Sequence, residues 1–310
     1  MKLLRIDLHN VRGAPDGAYS FTDARTGLPL DVALVTGSTS SGKTSVIEAI
    51  AAAKEAVGSY GAPADGRRLL RRGASSGRIE ATWLLSEDER TRASIEPAEH
   101  TILWNVEPGA ARIDVDPRLR RLFAELSRDP SRGKVEYFPA NRGLDPRDAG
   151  LVGAPLSASA LTRLRLTRDP DKYAGLVPGL RALALDAAAR AQRAVAERGI
   201  AMRGQLGDAL APFSSAVSAM VPELRLADVD IEEPRDGLRF VRRDRTHLQL
   251  ADLSDGERQG VLFALAFRHL GLAGSLVLID EPELHIHAAH RVRFLQVGMA
   301  RRFAAEPVPD

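Results

Sequence analysis

Residues 37–44 read GSTSSGKT. They match G-x-x-x-x-G-K-[ST] without a gap, and that pattern works only where a strand feeds the loop and a helix leaves it. Upstream, DVALVT (31–36) is a short apolar run that predicts a buried strand entering Gly37. Downstream, VIEAIAAAKEAV (46–57) is built mostly from good helix formers. The backbone N–H groups of Gly37, Ser38, Thr39, Ser40, Ser41 and Gly42 would curve round an anion, and the helix N-terminus adds positive potential. Gly37 and Gly42 allow backbone angles and a close approach that a Cβ would block. Lys43 would reach the β- and γ-phosphates of a nucleotide, the Thr44 hydroxyl would bind Mg²⁺, and Ser45 completes the loop's set of ligands. The competing reading is a chance match in a Gly/Ser loop. Strand and helix signals on the correct sides argue against it.

The rest of the chain is read by periodicity. Residues 3–9 alternate Leu4, Ile6 and Leu8 with Arg5, Asp7 and His9, as a half-buried strand does. Residues 78–85, 100–106 and 112–115 read as antiparallel strands, 117–128 as a short helix, and 134–143 as a strand ending at Pro139. Residues 144–222 are rich in Ala and Arg, with helices predicted over 178–198 and from 202 to about 220. A hairpin follows at 224–244 and a buried strand at 275–280. The expected fold is α/β: a P-loop NTPase core with a peripheral antiparallel β-sheet and a helical insertion. The expected division is 1–143 and 223–310 for the two parts of the core lobe, with 144–222 inserted between them.

Two further stretches carry chemistry. SLVLIDE (275–281) is a buried strand ending in acids. In phosphate-loop enzymes that position holds the carboxylate on the Mg²⁺ side, here Asp280, and Glu281 is placed to polarise a water. The plain alternative is a strand ending at a solvated acidic pair. LSDGERQ (253–259) stands just ahead of the apolar run Val261, Leu262, Ala264, Leu265, Ala266. Ser254-x-x-Glu257 is a capping box, in which the Ser254 hydroxyl caps the N–H of Glu257 and the Glu257 carboxylate reaches back to the N–H of Ser254.

Composition excludes several classes. There is no cysteine, so disulfides and Cys-ligated zinc are out. No apolar run approaches the ~20 residues of a membrane span, and the first residues lack a signal-peptide pattern. A cytoplasmic location with no membrane partner is the simplest reading. A net charge of +2 is no polyanion signal. Arginine clusters such as Arg67, Arg68, Arg71 and Arg72, or Arg163, Arg165 and Arg168, read first as solvated faces and second as phosphate-backbone contacts.

The ordered set GSTSSGKT, LSDGERQ and LVLIDEPELHIH resembles the ATP-binding cassette (ABC) superfamily, in particular its soluble branch of SMC, RecF and OLD-type proteins and bacterial "AAA family ATPases". HNVRG (9–13) and YFPANRG (137–143) are similar to segments of that branch. The resemblance implies an ATPase using ATP and Mg²⁺, with Glu281 catalytic and Thr44 and Asp280 on the metal. It implies a homodimer formed on ATP binding, in which Ser254, Gly256 and Glu257 of one copy face the γ-phosphate held by the other. Arg12 would lie near the phosphates, and Leu284 and His285 would cross the dimer interface. Relatives act in DNA repair, chromosome organisation and anti-phage defence. The expected partners are therefore duplex DNA and a separate effector, a nuclease or toxin.

The pattern departs from the branch in three places. Thr39 and Ser40 stand where Asn-Gly is usual. No clear glutamine loop precedes residue 191, and Asn141 and Arg142 are the candidates for that region. No strand with a switch histidine follows the acidic strand before Asp310; His285, His287 and His290 come too early and read as surface or loop histidines. The competing functions are a nucleotide-gated assembly subunit that does not hydrolyse ATP and the ATPase subunit of a transporter.

Overall fold

The computed structural model describes residues 1–57, 66–107, 110–128, 135–144, 173, 175–198, 205–229, 237–270, 272 and 275–284. Strands are β1 Lys2–His9, β2 Gly17–Ser20, β3 Gly77–Leu84, β4 Glu99–Glu107, β5 Ala110–Asp114, β6 Val135–Phe138, β7 Leu224–Val229, β8 Leu238–Arg242, β9 His247–Gln249 and β10 Leu276–Ile279. Helices are α1 Lys43–Val57, α2 Gly66–Leu69, α3 Glu87–Ala93, α4 Pro117–Arg128, α5 Leu176–Arg198, α6 Gln205–Met220 and α7 Asp255–Leu270. The chain divides into two compact units, 1–138 with 272–280 and 139–271 with 281–310.

The first unit holds an antiparallel sheet in the order β2-β1-β3-β4-β5 and a parallel pair, β10 beside β6. Alternation sets the faces of the sheet. Ile6, Ile79, Ala81, Trp83, Ile102 and Trp104 are buried, whereas Arg5 and Arg78 between them reach solvent. Helix α1 lays Val46, Ala49, Ile50 and Ala53 into the core. Helix α4 adds Leu119, Leu122, Phe123 and Leu126, the i, i+3, i+4, i+7 stripe of an amphipathic helix. Lys54 on α1 is fully buried, its ammonium 3.1 Å from the ring centroid of Phe123. In the parallel pair, Leu276 to Ile279 register against Val135 to Phe138. The N–H of Asp280 continues the ladder to Phe138 O at 2.9 Å.

One expected element is absent. Residues 31–36 form no strand, and their apolar side chains face water, with Val32 43% and Leu34 74% exposed. The run begins from a tethered point. Leu30 N–H bonds Phe21 O at 2.8 Å, and Lys2 pairs with Asp31 at 2.5 Å. From there the chain enters the phosphate loop without a ladder partner. An apolar run signals burial only when the topology offers it a neighbouring strand and covered faces, and neither is written in the run itself.

The second unit packs α5, α6 and α7 with the antiparallel sheet β7-β8-β9. Among the described residues the antiparallel strands thus fall into two sheets, one in each unit. Helix α7 is apolar all round from Val261 to Phe267, as a helix enclosed by its neighbours must be. Ser214 and Ser218 on α6 donate to Leu226 O and Leu224 O at 2.7 and 2.9 Å, fastening that helix to β7. Gly260 on α7 lies directly against the Val221 side chain, where a Cβ would collide with Val221 Cγ2. Gly260→Ala is therefore expected to destabilise the protein by about 1–3 kcal/mol through overpacking. A urea midpoint equal to wild type would contradict this contact.

Candidate functional site

The phosphate loop is shaped by turns rather than by regular structure. Ser41 N–H bonds Ser38 O at 3.2 Å, and Ser40 takes a left-handed φ of 65°. Helix α1 begins at once, with Val46 N–H on Gly42 O at 3.0 Å. Ser38, Thr39 and Ser40 are exposed; Ser41, Gly42, Lys43, Thr44 and Ser45 are half-buried. The Lys43 ammonium lies over its own loop, donating to Gly37 O at 2.9 Å and Ser38 O at 2.8 Å.

Gly42 is the tightest position. Its φ is 91°, and a Cβ there would run into Gly13 O, with Gly13 C at 2.7 Å and Ala14 Cα at 2.9 Å. The loop therefore closes against the segment that follows β1. Gly13 N–H bonds Ser45 Oγ at 3.3 Å, and Arg12 forms an ion pair with Glu48 one turn along α1. Arg12, assigned to the phosphates by resemblance, is thus held at the start of α1.

Arg71 supports the same segment. Its guanidinium donates to Arg12 O at 3.1 Å, Ala14 O at 2.7 Å and Asp16 Oδ1 at 2.7 Å. The Asn10 N–H, the Arg71 guanidinium and the nearby His9 hold the Asp16 carboxyl below its ordinary pKa. Sequence reading placed Arg71 in a solvated cluster. Its role in bracing residues 12–16 depends on contacts 55 to 59 residues away and leaves no local signal.

The acidic strand end meets the loop across 236 residues of sequence. Thr44 Oγ1 donates to Asp280 Oδ2 at 2.8 Å, and Asp280 is buried. A hydroxyl and a carboxylate side by side at the head of a phosphate loop suit Mg²⁺, which takes one or two protein oxygens and fills its octahedron with phosphate and water. Among the described residues, no group of three or more His, Cys, Asp or Glu could hold a metal by itself.

In the second unit, the capping box at the head of α7 is formed. Ser254 N–H donates to Glu257 Oε2 at 2.9 Å, and Glu257 N–H returns to Ser254 Oγ at 3.4 Å. The Ser254 hydroxyl also donates to Glu257 Oε2 at 2.9 Å, and Arg242 takes the other oxygen at 2.7 Å. Asp255 pairs with Arg258 at 2.5 Å. Ser254 is exposed and Gly256 half-buried. Sequence reading foresaw the box but not Arg242, which β8 supplies.

Partial burial opposes ionisation of Glu257. The backbone and hydroxyl hydrogen bonds from Ser254, with the hydrogen bond and charge of Arg242, outweigh it and hold the carboxyl below its ordinary pKa. A depressed folded-state pKa contributes stability above the unfolded value, about 4.3, and loses it as pH falls through the folded value. Glu257→Gln is therefore expected to be less stable than wild type at pH 7. The gap should shrink as pH drops below ~4, read as urea midpoints across that range. A gap constant with pH would contradict the assignment.

Glu281 opens the turn after β10. It is exposed and takes a left-handed φ of 48°, directly before Pro282. A non-glycine residue held there costs of order 1–3 kcal/mol and persists only where its surroundings fix it. The Glu281 carbonyl accepts from Leu284 N–H at 3.1 Å and from Arg142 Nη2 at 3.1 Å. His285, His287 and His290, with Arg163, Arg165 and Arg168, lie outside the described residues. No described helix is long and apolar enough to cross a membrane.

A family model described as "AAA domain, putative AbiEii toxin, Type IV TA system" matches residues 32–304. No match was found among curated proteins. Among solved structures, the SMC head domain from Thermotoga maritima is 15% identical, with 98% of this chain and 86% of that one covered and a TM-score of 0.48. The SmcHead bound to the C-winged helix domain of ScpA is 14% identical, over 96% and 86%, with a TM-score of 0.49. The recombination mediator protein RecF–ATPrS of the RecFOR pathway is 10% identical, over 90% and 85%, with a TM-score of 0.40. Likeness at that level decides no residue's role. The family match does more, because it spans most of the chain and contains the phosphate loop, the head of α7 and the acidic strand end. The chain therefore belongs to this AAA-domain family.

Proposed function

We propose that this protein binds and hydrolyses ATP, dimerises around it, and uses the dimer as a switch or clamp for a partner. The observation that carries the reading is the 2.8 Å bond from Thr44 to Asp280 at the mouth of a complete phosphate loop. It brings together the two protein oxygens that a nucleotide-bound Mg²⁺ needs, from opposite ends of the chain.

In this reading Gly37–Thr44 N–H groups bind the phosphates. Lys43 leaves the loop carbonyls for the β- and γ-oxygens. Mg²⁺, when bound at Thr44 and Asp280, neutralises charge building on the transferred phosphoryl group. Glu281 orients a water for attack on the γ-phosphorus; its carboxylate takes the water proton as the bond to the ADP oxygen breaks. Ser254 and Gly256 of a second copy cap the γ-phosphate, adding the α7 N-terminus to the site. The capping box is compatible with this role, because the N-terminal donors that need a cap can also serve an anion. Residues 1–143 and 223–310 form the ATPase lobe in this reading, with 144–222 inserted between its two parts.

The family description names a toxin of a toxin–antitoxin system. That supports a partner encoded as a separate effector or antitoxin, with duplex DNA as a second candidate. The test is native mass of Glu281→Gln with and without ATP and Mg²⁺, and with and without duplex DNA. A doubled mass on ATP is the expected result. Unchanged mass and unchanged DNA retention overturn the clamp. A doubled mass with no single-turnover hydrolysis by wild type leaves a nucleotide-gated assembly subunit instead.

A further inference from the structure

The Arg142 side chain is 4% exposed and binds three groups that come from three places in the chain. Nη1 donates to Pro139 O at 2.9 Å, Nε to Gln259 Oε1 at 3.2 Å and Nη2 to Glu281 O at 3.1 Å. The guanidinium also sits 5.0 Å from the ring centroid of Phe263, one turn beyond Gln259 on α7. Gln259 is buried as well, and its Nε2 returns a bond to Arg142 O at 2.9 Å. That exchange fixes the amide orientation, because only its oxygen can face the guanidinium and only its nitrogen the carbonyl.

The two ends of this link are the interesting part. Gln259 lies four residues into the helix that Ser254 caps. The Glu281 carbonyl belongs to a left-handed, strained residue ahead of a proline, and the carbonyl of such a residue needs an external hold. Through these contacts α7, the guanidinium and the Glu281 peptide are joined in one chain of bonds. Arginine suits the place because its fork meets several acceptors in one plane, which a lysine point charge cannot do.

We propose that Arg142 and Gln259 are positioning residues that couple the head of helix α7 to the backbone of Glu281, so that an anion arriving at Ser254 and Gly256 sets the direction of the Glu281 side chain. The proposal rests on the reading of Glu281 as the residue that orients the attacking water. Neither Arg142 nor Gln259 touches the nucleotide in this scheme.

The test uses the full chain with Arg142→Ala, Arg142→Lys, Gln259→Met and the double variant Arg142→Ala/Gln259→Met. Three quantities are read: ATP affinity with a fluorescent ATP analogue, kcat and KM for ATP, and hydrogen exchange at the Leu284 amide in nucleotide-free protein. Affinity and KM are expected to stay within about 2-fold. Misplacing a catalytic group by about 1 Å can cost 10²-fold, so kcat should fall about 10–100-fold in each single Ala or Met variant. Arg142→Lys should recover only part of that loss. The double variant should be no slower than Arg142→Ala, since the two residues act as one link. Leu284 exchange should rise about 10-fold, because its N–H shares the Glu281 carbonyl with Arg142.

Gln259→Met keeps volume and leaves Arg142 its two carbonyl partners, so it remains informative if Arg142→Ala does not fold. Wild-type kcat in Gln259→Met, or wild-type Leu284 exchange in Arg142→Ala, overturns the coupling. So do additive losses in the double variant. Wild-type turnover in Glu281→Gln, or none in wild type, overturns the proposed function instead. The exchange measurement needs no turnover and still decides whether the tether exists.

Discussion

Glu281→Gln is expected to lower ATP turnover about 10²–10⁴-fold, the range for losing a positioned general base, while leaving ATP affinity within about 2-fold. The substitution changes only the side chain. The features that fix the residue are backbone features: the left-handed φ of 48° and a carbonyl shared by Leu284 N–H and Arg142. The turn should therefore survive. Removing a negative charge from the vicinity of a triphosphate cannot weaken the nucleotide's attraction to Lys43. Binding without turnover should then accumulate the ATP-loaded dimer. Single-turnover hydrolysis and native mass on the same sample check both halves. Turnover at wild-type rate would remove Glu281 from the chemistry.

Gly42→Ala is expected to weaken ATP binding more than about 100-fold, near 2.7 kcal/mol, and to lower the unfolding midpoint. Two costs add. The left-handed φ of 91° penalises any Cβ by about 1–3 kcal/mol. The new methyl also meets backbone atoms, Gly13 C at 2.7 Å and Ala14 Cα at 2.9 Å, which cannot swing aside as a side-chain tip can. Relief requires the loop and the 11–14 segment to part, and that spoils the curved row of N–H groups. Gly13→Ala is the control. Its Cβ would meet Ser45 Oγ at 3.5 Å and Gly42 Cα at 4.0 Å, ordinary contacts. It should bind ATP within about 3-fold of wild type. Equal losses in the two variants, by titration with a fluorescent ATP analogue, would contradict the close-approach account.

Much of the fold was legible because its signals are local. Strand patterning placed β1, β3 and β4, a good-former run placed α1, and the helix predicted over 178–198 coincides with α5. A further local signal lies at α3. Ser86 and Glu89 form a reciprocal capping box at the head of α3, the same spacing as Ser254 and Glu257. The four-residue β2 and three-residue β9 are too short to show a period of their own. Residues 31–36 carried a clear signal that the structure does not follow. Their apolar character is real, but a strand is defined by its neighbour, and residues 31–36 have no bridging partner beyond the tether at Leu30 and Asp31.

The candidate site divides along the same line. Sequence alone determined the chemistry available: a run of N–H donors ending in Lys43 and Thr44, an acidic pair at a strand end, and a capped helix of apolar core residues. Each is set by neighbours within a few positions, where backbone preference and hydrogen-bond reach are short-ranged. Tertiary structure decided what those groups face. Thr44 finds Asp280 236 residues away, Gly42 finds Gly13, Arg71 braces residues 12–16, and Arg142 joins Gln259 to the Glu281 carbonyl. Such partners are chosen by which strands lie side by side and which helices cross. That choice is made by the burial of the whole core and is not written in the residues on either side of the bond.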